Sequence, residues 1–65
     1  MRDANRISEV LSTIEKAWVK VPDLRFMQLI HLIQGYHGTD MFYVEDESLM
    51  EFVNELMKEG KLDGI

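Results

Sequence analysis

The sequence predicts an all-α fold, a compact three-helix domain with a short extended or single-turn connector before the last helix. Two observations carry that prediction. Apolar residues return at three- and four-residue steps in three separate stretches, and each stretch is bounded by a proline, a glycine or a capping residue. A third observation excludes the competing class, since the one β-prone run, Met41-Phe42-Tyr43-Val44, has no second strand to pair with.

The first helix is expected over residues 4–20. Ile7, Val10, Leu11, Ile14 and Trp18 form its apolar stripe, with Arg6, Ser8, Glu9, Ser12, Thr13, Glu15 and Lys16 between them. Asp3 is placed to cap it, and Pro22 bars continuation beyond about Lys20 because the residue before a proline avoids helical angles. Trp18 is expected to lie in the core with its N–H on a carbonyl.

The second helix is expected over residues 23–36, begun by Asp23 or by Pro22 at the first helical position and ended by the glycines Gly35 and Gly38. At about 100° per residue, Phe26, Leu29, Ile30 and Ile33 share one quadrant and make its core face. Leu24, Met27 and Leu32 fall outside that quadrant, interleaved with Arg25, Gln28, His31 and Gln34. A helix apolar on more than one side is packed by two neighbours or keeps a side for a partner.

The connector's aromatic residues are expected to plug the end of the bundle. The third helix follows over residues 46–59, with Ser48 and Glu51 at capping-box spacing and Glu45, Asp46 and Glu47 suited to the positive end of the helix dipole. Leu49, Phe52, Val53, Leu56 and Met57 make its apolar face, Gly60 stops it, and Lys61 to Ile65 form a short tail.

The block from Trp18 through Pro22-Asp23-Leu24-Arg25 to Gln28-Leu29-Ile30, followed by Asp40, Phe42-Tyr43 and Glu45-Asp46, resembles a group of small uncharacterised proteins found in bacteria and their phages. Their common pattern is W…PDLR-x-x-QLI and then D-x-FY-x-ED. Arg6-Ile7 followed by Leu11 also resembles that group. The chain departs from it at Phe26-Met27, where relatives often carry Leu-Gly, and the difference adds bulk to the second helix. The resemblance implies a fold and a bacterial or phage source, and it brings no activity with it.

All 65 residues belong to one domain, near the lower limit at which a single core folds without staples, and the chain has no cysteine. A core of this size supplies about 3–5 kcal/mol, so self-association is a natural source of further stability. The lack of cysteine, of a leader-type N-terminus and of a long apolar run points to a cytoplasmic protein, in the host cytoplasm if phage-encoded, without a membrane partner. The net charge is −5, divided as +1 up to His37 and −6 from Gly38 onward. An acidic C-terminal half repels phosphate backbones, so nucleic acid is not expected as a partner.

No residue pattern assembles an active site. His31, His37 and Asp40 are too few for a zinc site without cysteine, and Glu45-Asp46-Glu47 lacks the alternation and central glycine of a calcium loop. Ser8, Ser12, Thr13 and Ser48 lie at helix surfaces or caps with no glycine elbow. The sequence therefore predicts no enzyme, no metal and no cofactor. Arg25 stands in a first turn against the dipole preference, so it is expected to pair with Asp40, Glu45 or Asp46, or with a partner.

The function expected is that of a small acidic protein-interaction module of bacterial or phage origin, one that binds and blocks a host or defence protein. Its candidate interface is Leu24, Arg25, Met27, Gln28, His31 and Leu32 on the second helix, with the acidic row Glu47, Glu51 and Glu55 on the third. The alternative is a structural homo-oligomer, most simply a homodimer through the mixed face of the second helix. A helix-turn-helix reader of nucleic acid shares the three-helix skeleton, but an acidic third helix contradicts its needs.

Overall fold

In the computed structural model, which describes residues 2–63, the chain forms α1 (Asn5–Lys20), α2 (Phe26–His37) and α3 (Asp46–Lys58), with no strand among the described residues. α1 and α3 make the close helix pair, and α2 is packed less closely against them. Their ends show the direction of pairing. Arg6 bonds Asp46 at the N-terminal ends of α1 and α3, while Lys20 lies 3.7 Å from Asp63 just past their C-terminal ends. The two helices therefore run parallel, and α2 carries the chain back across them. The core is Ile14, Ala17, Val21, Leu29, Ile33, Val53, Leu56 and Leu62.

α1 begins one residue later than the pattern predicts. Ala4 occupies the cap position, and Asp3 serves from one residue upstream, its Oδ1 accepting the Asn5 N–H at 2.9 Å. Burial on α1 is confined to Thr13, Ile14 and Ala17. Thr13 is satisfied by donating its hydroxyl to the Glu9 carbonyl at 3.0 Å. In the stripe's first half Ile7 and Leu11 are 52% and 61% exposed, while Val10 packs partly against the core.

The start of α2 corrects the sequence reading by three residues. Val21 to Leu24 close a turn, with the Leu24 N–H on the Val21 carbonyl at 3.1 Å, and Asp23 is not a cap. Arg25 holds the cap position, where Gln28 reaches back so that its Oε1 accepts the Arg25 N–H at 2.7 Å. That is half of a capping box, because a guanidinium has no acceptor to complete the other half. Leu29 and Ile33 are buried as expected, whereas Phe26 is 44% exposed and lies on Trp18 with ring centroids 5.4 Å apart.

Two glycines on α2 have opposite consequences. Gly38 ends the helix at φ 82°, with its N–H on the Gln34 carbonyl at 3.0 Å. Gly35 sits inside the helix with open space where a Cβ would go. Gly38→Ala should therefore lower stability by about 1–2 kcal/mol, from left-handed strain. Gly35→Ala should raise it by about 1 kcal/mol, through helix propensity. Urea unfolding of the two variants checks both signs at once.

α3 begins at Asp46 with Glu45 at the cap position and no side-chain cap bond, so the Ser48–Glu51 capping box does not form. The helix starts three residues before that box would allow, with its cap at Glu45 and not at Ser48. Asp46 and Glu47 occupy the first turn, where negative charge suits the dipole. The C-terminus closes in a Schellman arrangement, with the Lys61 N–H on the Leu56 carbonyl at 3.0 Å, the Gly60 N–H on the Met57 carbonyl at 3.1 Å, and Gly60 at φ 73°. The expected short tail is folded back as far as it is described, since Leu62 is fully buried. The last two residues of that tail, 64 and 65, lie outside the described residues.

Candidate functional site

The connector between α2 and α3 is a single turn, and it inverts the expected arrangement of its aromatic residues. The Val44 N–H bonds the Met41 carbonyl at 3.0 Å, and Asp40 Oδ1 accepts the Phe42 N–H at 3.0 Å. These bonds fix the four residues so that Met41 and Val44 turn inward. Phe42 and Tyr43 turn outward, 79% and 87% exposed, instead of plugging the bundle. Their rings meet edge to face with centroids 4.9 Å apart.

Behind the turn lies an apolar cleft of about 180 Å³, lined by Ile14, Ile30, Ile33, Met41, Val44 and Leu49. Gln34 is the polar member of the lining, and its side-chain amide donates to the Thr39 carbonyl. The cleft lies where α1, α2, the connector and the start of α3 meet, since each of them contributes to its lining. Gly38 makes the tight exit that brings the connector there.

The acids that follow the turn are matched from the N-terminal arm. Arg2 bonds Glu45 at 2.7 Å and Arg6 bonds Asp46 at 2.7 Å, whereas Arg25 makes no ion pair with Asp40, Glu45 or Asp46. Both bridges join residues 40 or more positions apart, so no local spacing announced them. The hydrogen bond and the charge of Arg2 hold the Glu45 carboxyl below its ordinary value of 4.5. Glu45 thus contributes stability above its unfolded titration, and that contribution is lost as pH falls through the lowered folded value. NMR titration should find the Glu45 midpoint below 4.5 in the native chain and back at the ordinary value in Arg2→Ala.

The candidate interface residues separate. Leu24 and Leu32 are half-buried against the core, so they are packing residues. Met27 and His31 stand exposed on the outer face of α2, Arg25 is exposed at its start, and Gln28 is used as the cap. Glu47, Glu51 and Glu55 are exposed on α3, and none has a basic partner within 4.0 Å among the described residues. The shallow groove at His31, Leu32, Gly35 and Tyr36 includes none of these glutamates. The outward aromatic pair was missed as a site, although its flanks held a signal: Asp40 at an Asx-turn position and two aromatics between polar residues.

No group of three or more histidine, aspartate or glutamate side chains among the described residues is placed to hold a metal ion. His37 instead lays its ring edge-on to Phe52 with centroids 5.1 Å apart, and its Nδ1 is in hydrogen-bond contact with the Thr39 hydroxyl at 2.9 Å. No helix among the described residues is long and apolar enough to cross a membrane. No protein-family model, curated protein or solved structure matches the chain.

Proposed function

We propose that this domain is a non-enzymatic protein-interaction module whose contact surface centres on Phe42 and Tyr43. The observation that carries this reading is the aromatic pair itself, exposed on a turn closed by the Val44 N–H on the Met41 carbonyl and by the Phe42 N–H on the Asp40 carboxylate. Aromatic side chains kept in water give up folding energy, and they recover it when a partner covers them. Rigid aromatic anchors also lose little conformational freedom on binding, which is why such residues dominate interface energetics.

The unneutralised row Glu47, Glu51 and Glu55 on α3 adds a charge preference. Like charges at four-residue spacing on a helix oppose each other, by about 0.2–0.5 kcal/mol per pair. A basic rim on the partner relieves them and speeds association. The same row sets α3 against a DNA major groove. A blocking role toward a host or defence protein is one use of such a surface.

The test compares the native chain with Phe42→Ala/Tyr43→Ala as baits for capture from the source cell. Both side chains are exposed, so the double variant should keep its helical spectrum and thermal midpoint. It should lose the captured protein. Equal recovery of the same protein by both baits would remove the aromatic pair from the interface.

A further inference from the structure

We infer that the recess between the aromatic turn and the start of α3 takes an arginine side chain of a partner protein, and that Arg2 holds that seat in the partner's absence. The inference rests on the reading above and names the partner's chemistry. Phe42, Tyr43, Val44, Glu45 and Asp46 line an open recess of about 260 Å³ together with Arg2 and Arg6. The most exposed aromatic residues of the chain and the carboxylates that open α3 therefore border the same space.

The chain's own arm shows which group the recess receives. Arg2 sets its guanidinium on Glu45, 43 positions away, with Nη1 donating to Oε2 at 2.7 Å and Nη2 to Oε1 at 3.3 Å. That is the parallel two-bond fit of a guanidinium on a carboxylate, which a lysine does not reproduce. The two side chains are 58% and 63% exposed, and Arg2 precedes α1, so a competing guanidinium has access to the bridge. The neighbouring bridge of Arg6 to Asp46 is more covered, 36% exposed on each side, and it ties α1 to α3. Exchange is therefore expected at Glu45 and not at Asp46.

Charge leaves room for a further cation at this end of the molecule. A second recess shares Arg2, Arg6, Glu45 and Asp46 with the first and adds Glu9 and Glu47. Neither Glu9 nor Glu47 has a basic partner within 4.0 Å among the described residues. Four carboxylates thus border the two recesses against two guanidinium groups, and the surplus attracts a positive segment. The adjoining rings narrow its chemistry to arginine, since a guanidinium can stack on an aromatic face while it bonds a carboxylate.

NMR titration of the isotope-labelled whole chain with a short capped arginine–glycine–serine peptide, at about 0.15 M salt, tests the inference. The amides of residues 42–46 should shift, and the same peptide with lysine for arginine should bind about threefold more weakly or worse. Arg2→Ala vacates the seat and should tighten binding by about two- to fivefold, the range over which an exposed bridge competes. Lys58→Ala removes the same charge at the far end of α3 and should change the affinity by less than about twofold. Glu45→Gln should weaken binding and abolish the gain from Arg2→Ala, because the two side chains form one seat. Phe42→Ala/Tyr43→Ala should weaken binding by about threefold or more. All the substituted side chains are exposed, circular dichroism confirms that each variant is folded, and the shift map of the native chain locates the site without any variant.

An Arg2→Ala chain that gains no more than Lys58→Ala overturns the inference. So do native-chain shifts that miss residues 42–46, equal affinity for the lysine peptide, or no shift at about 10 mM arginine peptide, a concentration at which even very weak contacts register. None of these results removes the broader reading, which fails only if the Phe42→Ala/Tyr43→Ala bait retains its captured protein.

Discussion

Leu62→Ala should destabilise the domain by about 2–5 kcal/mol, although the residue lies beyond the last helix. Leu62 is fully buried, and the Schellman turn at Gly60 aims it back among the core residues. A core this small supplies only about 3–5 kcal/mol in total, so the variant approaches complete unfolding. Each kcal/mol moves the midpoint of a domain this size by about 4–8 °C, and a drop of at least about 10 °C is expected in a thermal melt followed by circular dichroism. Asp63→Ala is the control. Its carboxylate sits 3.7 Å from Lys20 with both side chains exposed, so its loss should cost no more than about 1 kcal/mol. Equal effects of the two substitutions would mean that the tail acts through charge and not through Leu62.

Trp18→Ala should cost about 3 kcal/mol or more, near the lower end of the range for removing a large aromatic side chain because the indole is only partly buried. Trp18 joins two elements. Its Nε1 donates to the Leu24 carbonyl at 2.8 Å, which pins the turn between α1 and α2, and its ring supports Phe26 at the start of α2. Trp18→Phe keeps most of the packing and removes the donor, leaving the Leu24 carbonyl without that partner, so it should cost about 1–2 kcal/mol. Urea titration separates the contributions. Both variants should lower the midpoint at an unchanged slope, and a Trp18→Phe chain as stable as the native one would show that the hydrogen bond contributes nothing net.

Local chemistry determined the elements. Three apolar stripes at helical spacing, Pro22 after the first and the glycines Gly38 and Gly60 at the left-handed ends were enough to predict an all-α domain with nearly correct boundaries. The hydrogen bond of the Trp18 N–H to a carbonyl was also legible, because a large side chain with one polar atom has few ways to be buried. These features depend on a residue and its neighbours within about one or two turns of helix.

The site was decided by tertiary structure, and the start of α2 shows why. Asp23 has the chemistry of a cap, yet the turn from Val21 to Leu24 that Trp18 secures delays the helix to Phe26, where Gln28 supplies the capping acceptor. The exposure of Ile7 and Leu11 depends on which helices pack beside α1, which no periodicity encodes. Arg2 and Arg6 meet Glu45 and Asp46 only because α1 and α3 run parallel, and that pairing left Arg25 without the acids expected for it. Phe42 and Tyr43 face outward because the connector's turn commits Met41 and Val44 to the core side, and which pair takes that side is set by the helices the turn joins. A helical stripe reports which residues avoid water, but which of them finds cover depends on the angle and reach of its neighbours, and in a chain this short there are too few neighbours to cover them all.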